Sequence, residues 1–257
     1  MLRSKDIAKL RVAIHLACGA FLADMPRPNA RPEPLHNTAP PRTRFTPAER
    51  ALIRRLHTPM KVQHFLNWLP YNTEPPPRGG TLRSFRQVLR HGKAHCLEAA
   101  LAAACILEQH GYPPLLMTFE SIDMLDHVIF VYRARGKWGS VARSRDPGLH
   151  GRKPMFASPR ALAMSYFDAY IDLTGAITGY AVVDLRELGN YDWRFSARNM
   201  WAVERFLIHI RHRPIKASRA RIARMRARYK GYLEKHRKKP LFYRGREKWT
   251  EIPQEFL

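Results

Sequence analysis

The run Leu97-Glu-Ala-Ala-Leu-Ala-Ala-Ala-Cys-Ile-Leu107 constrains this chain more than any other stretch, because it is too apolar to present a broad face to water. Leu97, Ala100, Leu101, Ala104 and Leu107 recur at helical spacing, alanines fill other faces, and Gly111 supplies a stop, so the pattern predicts a buried helix. Such a helix has to be wrapped by other elements, and only its start is left near solvent. Cys96 stands at that start, directly after Gly92-Lys-Ala-His95. A helix N-terminus carries partial positive charge and unmatched N–H groups, which favour a thiolate and can hold an oxyanion. Cys96 is therefore the candidate nucleophile, whereas Cys105, deep in the same helix, reads as a small buried hydrophobe.

With 257 residues the chain can bury a real core, and wrapping elements are available on both sides of that helix. Thr46-Pro-Ala-Glu49 carries the signature of a helix start, with Thr as N-cap, Pro at the first position and Glu three residues after the cap. Thr58-Pro59 opens a second helix with Val62, Phe65, Leu66 and Leu69 on one face, and Thr81 to Arg90 reads as a third. After Gly111 the period changes. Leu115–Phe119, His127–Tyr132 and Trp138–Ala142 are short apolar or alternating runs, and Arg135-Gly136-Lys137 makes a tight turn between the last two. At least three strands follow from this, the last pair antiparallel. A helix from Ser158-Pro159 to about Leu173, a strand over Tyr180–Leu185 and a helix over Arg198–Ile210 complete the order α, then β, then α.

Both ends differ from this body. Residues 1–25 read as a helix using Leu10, Ile14, Cys18, Phe21 and Leu22, and the prolines between Pro26 and Arg44 make a linker or an extended wrap. From Lys216 to Lys239 a helical pattern carries eleven Lys and Arg against one acid, Glu234, with a narrow apolar stripe of Ile222, Met225, Tyr229 and Tyr232. The net charge of +24 favours anionic partners in general, though arginine bias in composition produces the same number. The basic helix either docks through its stripe with its charge solvated, or contacts nucleic acid or an anionic surface through residues 216–239. Three cysteines without a CxxC pair do not make a disulfide framework, which points to a reducing, cytoplasmic setting, and no run reaches transmembrane length.

The second candidate site residue is His127, which opens the strand Asp126-His-Val-Ile-Phe-Val-Tyr132. Its alternation puts His127, Ile129 and Val131 on one sheet face, where an imidazole needs a polar partner. The next strand ends just before Ser144-Arg-Asp146-Pro147, so a hairpin returns Asp146 alongside the start of the His127 strand. A thiol at a helix start, an imidazole base and a carboxylate that fixes its tautomer form a nucleophilic constellation. Asp123 and Asp126 are alternative carboxylates. Arg90, Lys93 and His95 are cations that lower the thiol pKa or merely lie at the surface, and no second Cys or His pair supports zinc at His91 and His95.

This order of residues, with Trp138-Gly139 and then Asp146-Pro147 after the histidine, resembles the transglutaminase-like superfamily of papain-type cysteine enzymes over roughly residues 58–150. The flanking His95-Cys-Leu-Glu-Ala99 and Ser165-Tyr-Phe167 look similar to a bacterial branch of it. The resemblance implies an α+β fold with a papain-like core, the nucleophile helix packed on an antiparallel sheet and further helices at both ends. It also assigns Cys96 the nucleophile role, His127 the base role and Asp146 the orienting role. The chain departs from the pattern in having Gly92 four residues before the cysteine, and no acidic cluster resembles the calcium sites of animal transglutaminases. No cofactor or metal is expected.

The expected organisation is an N-terminal helix and proline-rich linker over 1–45, a transglutaminase-like domain over 46–212, and a basic helix and tail over 213–257. The expected function is a cysteine enzyme acting on amide bonds of a protein or peptide, by hydrolysis or by acyl transfer. The alternative is a non-catalytic module of the same fold whose basic helix contacts nucleic acid or an anionic surface.

Overall fold

Three short helices form first, and each is started by the side chain that the local sequence supplies. The computed structural model describes residues 38–73, 80–123, 126–144 and 146–236. The expected helix over 1–25, most of the proline-rich segment and the C-terminal tail lie outside the described residues. Helix α1 (Pro47–Arg55) carries the full capping box: Glu49 N–H donates to Thr46 Oγ1, and Thr46 N–H donates to Glu49 Oε2. Helix α2 (Pro59–Trp68) is capped by Thr58. Helix α3 (Phe85–His91) begins four residues later than the apolar spacing predicts, because Ser84 is its cap and Thr81 is occupied in a hydrogen bond to Glu98.

Gly92 then turns the chain with a φ of 62°, a left-handed conformation that closes α3 and directs Ala94 against Tyr71. Helix α4 (Cys96–Glu108) follows, and every residue from Leu97 to Glu108 is buried. Its alanines let α2, α3 and the sheet approach closely, and its large side chains, Leu101 and Ile106, are fully enclosed. Burial of this kind stabilises by about 1.5–3 kcal/mol per large aliphatic side chain, and truncating Leu101 to alanine costs about 2–5 kcal/mol.

The sheet has six strands, β1 (Leu115–Ser121), β2 (His127–Ala134), β3 (Lys137–Val141), β4 (Arg152–Phe156), β5 (Ile177–Asp184) and β6 (Arg213–Pro214), in the order β4-β3-β2-β1-β5-β6. Every pairing is antiparallel. The β2–β3 hairpin turns through Arg135 and Gly136, both at positive φ, so that Ala134 faces Lys137. On one face Val128, Phe130 and Tyr132 pack with α4 and the other N-terminal helices. On the other face Ile129, Val131, Met117 and Phe119 pack with Leu162, Ala163, Tyr166 and Phe167 of helix α5 (Pro159–Tyr170). The fold is α+β, with the cysteine helix on an antiparallel sheet and helices before and after it.

Neither β4 nor β6 follows from the sequence pattern, and β6 changes where the body ends. It pairs Arg213 and Pro214 with Tyr180 and Gly179, so residues past 212 complete the sheet instead of starting a separate segment. After helix α6 (Trp201–His209) and this strand, the basic helix α7 (Arg219–His236) lies against α5. Ile222 and Met225 join the α5 face, Tyr229 is buried beside Ala169, and Arg221 pairs with Asp168 at 2.7 Å. The apolar stripe is thus a packing face, with Arg219, Arg224, Arg228, Lys230 and Lys235 turned outward. At the other end, Phe45 fills the core between Phe85 and Phe195, so the body also begins before residue 46. Among the described residues no helix is long and apolar enough to cross a membrane.

Candidate active site

Cys96 is the first residue of α4 and is partly buried. Burial alone pushes its thiol up, yet hydrogen bonds from His127 and His95, with the charges of both rings, pull it well below the ordinary thiol range. The helix start adds in the same direction. The structure thus brings Cys96 and His127 together and adds a second imidazole that directly precedes the thiol.

His127 reaches the thiol because it is the first residue of β2. Helix α4 covers one sheet face while the His127 ring lies with the other, stacked on Phe119 at 6.2 Å and against Tyr166 at the same separation. The two therefore meet at the end of the sheet. His127 Nε2 is 3.1 Å from the carbonyl oxygen of Leu149. A carbonyl only accepts, so Nε2 carries the proton and Nδ1 is the nitrogen available to the thiol.

Leu149 ends a single 3-10 turn over Pro147–Leu149, and Asp146 stands at its head. Asp146 Oδ1 accepts from Gly148 N–H at 2.9 Å, and Asp146 N–H donates to Ser144 Oγ at 3.2 Å. In these contacts the carboxylate braces the turn that presents the Leu149 carbonyl. The other two carboxylates considered, Asp123 and Asp126, accept from Ser121 Oγ and Ser121 N–H within the β1–β2 connection.

The turn is held from below by side chains that sequence reasoning missed. Arg152, buried at the start of β4, donates to the carbonyls of Gly148 and His150 and lies 4.0 Å from the Tyr166 ring centroid. Tyr166 donates its hydroxyl to His150 O at 3.0 Å and shares a hydrogen bond with Ser140. Gln63, on the buried face of α2, pairs with both main-chain groups of Ala142 and accepts from Gly151 N–H. A Cβ on residue 151 would collide with Gln63 Oε1 and Ser140 O, which explains the glycine. Burial, with Arg143, His127 and Arg152 nearby, pushes His150 down to about 4, so it remains a neutral member of this frame. A buried glutamine amid the apolar residues of α2 was the one sequence signal for this frame; main-chain acceptors such as Leu149 O leave none.

A second frame lies under His95. Glu98 is fully buried, and its two oxygens accept from Asn72 Nδ2, Thr81 Oγ1, Arg83 N–H and His95 N–H at 2.9–3.1 Å. The His95 ring is 2.9 Å from Thr81 O through Nε2 and 3.7 Å from Glu98 Oε1. Burial works against the charged ring, but the Cys96 thiolate and Glu98 outweigh it and push His95 up to about 9. A sulfur held between imidazoles at a helix start, drawn toward its thiolate, is the arrangement that attacks an electrophilic carbon, and the first-turn N–H groups are the donors nearest to it.

No protein-family model matches this chain, and no curated protein matches it. Among solved structures it is similar to LapG of Legionella pneumophila. The calcium-bound form aligns at 21% identity with a TM-score of 0.29, covering 36% of this chain and 58% of that one. The EGTA-treated form aligns at 17% identity with a TM-score of 0.34, covering 56% of this chain and 82% of that one. The chain therefore spans less than two thirds of the calcium-bound LapG chain.

Proposed function

We propose that this chain is a cysteine-dependent enzyme acting on amide bonds of a protein or peptide, in the manner of the transglutaminase-like enzymes its sequence resembles. One observation carries the reading: the Cys96 thiol begins a helix and is hydrogen-bonded to His127, whose far nitrogen is fixed by a carbonyl. Cys96 is the nucleophile and His127 the proton carrier. Asp146 serves the imidazole through the turn it braces.

The thiolate adds to the amide carbon, forming the C–S bond as the carbonyl electrons move to oxygen near the first-turn N–H groups of α4. His127 gives the proton on Nδ1 to the amide nitrogen as the C–N bond breaks, leaving a thioester and a free amine. Neutral Nδ1 then takes a proton from water, or from an acceptor amine, as that nucleophile attacks the thioester and the thiolate departs. Water gives hydrolysis and an amine gives acyl transfer, and access to the thioester selects between them.

Incubation with p-nitrophenyl acetate followed by intact-mass and peptide mapping tests the reading. An acetyl group on Cys96, with turnover lost in His127→Ala, is expected. Acetylation absent from Cys96, or turnover unchanged in His127→Ala, would contradict it. The outward cations of α7 favour a second reading, a module without turnover that contacts an anionic surface. A protein that never acylates but is retained on a polyanion in a salt-dependent way would support that instead.

A further inference from the structure

The site contains two imidazoles on one sulfur, and a single nucleophile needs only one proton carrier. We propose that His95 is a standing counter-ion of the Cys96 thiolate, keeping both ring protons through the whole cycle while His127 alone moves protons. The inference rests on the reading of Cys96 as the nucleophile.

Geometry separates the two rings. His95 immediately precedes the thiol as the residue before the first turn of α4, and its Nε2 lies 2.9 Å from the Thr81 carbonyl, which can only accept. Its side chain also hydrogen-bonds to the Cys96 sulfur. With Nε2 beside the Thr81 carbonyl and the ring hydrogen-bonded to a sulfur that also accepts as a thiolate, the cationic ring has an acceptor for what it donates. Losing a ring proton forfeits one of these contacts. Glu98 Oε1, buried and 3.7 Å away, supplies the opposite charge that keeps the ring cationic. Arg83 faces the same carboxylate at 3.8 Å and shares its charge. His127 is enclosed differently, between Phe119 and Tyr166 with only a carbonyl fixing Nε2, which suits a ring that gains and loses a proton.

The proton balance then closes with His95 unchanged. Attack by the thiolate consumes the sulfur's charge, and His95 and the helix start face the oxyanion that replaces it. His127 protonates the departing amine and is restored by the incoming water. When the thioester breaks, the returning thiolate finds the same cation beside it. The groups that set the charge of His95 are Cys96 and Glu98 on its own helix and the Thr81 carbonyl; Arg83 ahead of α3 faces the same Glu98 carboxylate, and His127 on β2 shares the sulfur.

The test compares iodoacetamide alkylation of Cys96 across pH in the full-length protein and in His95→Gln, His127→Ala and the double variant, and adds NMR titration of the His95 ring in wild type and Cys96→Ala. Expected is a drop of about tenfold or more in alkylation at pH 6 for His95→Gln, since each pKa unit changes the thiolate fraction about tenfold. The double variant should return Cys96 to ordinary thiol behaviour, while His127→Ala retains part of the depression. In Cys96→Ala the His95 midpoint should fall from about 9 toward its ordinary 6.5. An unchanged alkylation midpoint in His95→Gln, or a His95 midpoint indifferent to Cys96→Ala, overturns the inference. The NMR arm leaves His95 in place and so remains decisive if the His95 variants fail to fold. Absence of acetyl-Cys96 with p-nitrophenyl acetate overturns the nucleophile reading instead, and the alkylation and NMR arms still judge His95.

Discussion

Two thiols on one helix, about two and a half turns apart, meet opposite surroundings. Cys96 starts α4 and is drawn toward the thiolate by two imidazoles; Cys105 is fully buried in the same helix, and burial pushes its thiol well above the ordinary range. Residue type and helix are shared, so the difference belongs to position. The helix start offers unmatched N–H groups and room for His127 and His95, whereas Cys105, near the other end, is packed in the apolar core with the Glu108 carboxylate close by. The surroundings of each thiol follow from where along the helix it stands.

The largest expected contrast is between substitutions of these two residues. Cys96→Ser should reduce turnover by about 10⁴-fold or more while changing stability by no more than about 1 kcal/mol. Cys105→Ser should do the reverse, costing about 1–3 kcal/mol for a hydroxyl enclosed by apolar side chains, with acylation of Cys96 intact. Denaturant melts and acylation rates on both variants check this, and equal effects would remove the contrast.

A smaller effect is expected from Asp146→Asn. If the Leu149 carbonyl fixes the imidazole and Asp146 braces the turn, asparagine keeps an acceptor for Gly148 N–H, and turnover should fall by about tenfold. A loss near 10⁴-fold, the scale seen when a triad carboxylate directly sets the tautomer, would show the carboxylate acting on the ring itself. Steady-state kinetics distinguishes the two.

The smallest effect concerns stability and pH. The raised His95 contributes stability that is fully present below about 6.5 and lost as pH rises to about 9. The depressed Cys96 contributes in the opposite sense: its stability is present above the ordinary 9.0 of an unfolded thiol and lost as pH falls through its folded value. The two slopes oppose, because the pair exchanges a proton internally on folding without net uptake. Melting temperature should therefore vary little between about 6.5 and 9. Above 9.0 it should fall, since the unfolded Cys105 thiol ionises while the folded one stays neutral. Melting scans across this range check the sign.

Much of the frame that presents Cys96 was readable from local pattern. The alanine-rich run demanded burial, Thr46-Pro-Ala-Glu49 encoded its own cap, and Arg135-Gly136 marked the hairpin that brings the Asp146 turn back toward His127. The remaining features depend on contacts between distant segments, which local pattern does not encode. Strand β4 reads Arg-Lys-Pro-Met-Phe, which has no strand alternation because Arg152 is buried to hold the turn and Pro154 lies on an edge strand. Strand β6 has two residues and no period at all. In the site, Cys96 and His127 are legible as chemistry-bearing side chains at element starts. The Leu149 carbonyl is not, because every residue has one, and in sequence His95 is one cation among Arg90 and Lys93; only the fold sets Thr81 and Glu98 against it.

The most direct test of the central claim is the pH dependence of alkylation at Cys96 and Cys105 in the same folded wild-type sample, resolved by peptide mass. The account predicts that Cys96 is modified with a midpoint well below the ordinary thiol range, while Cys105 stays unmodified until the protein unfolds. A Cys96 midpoint at the ordinary thiol value, or modification of both residues in parallel, would contradict it.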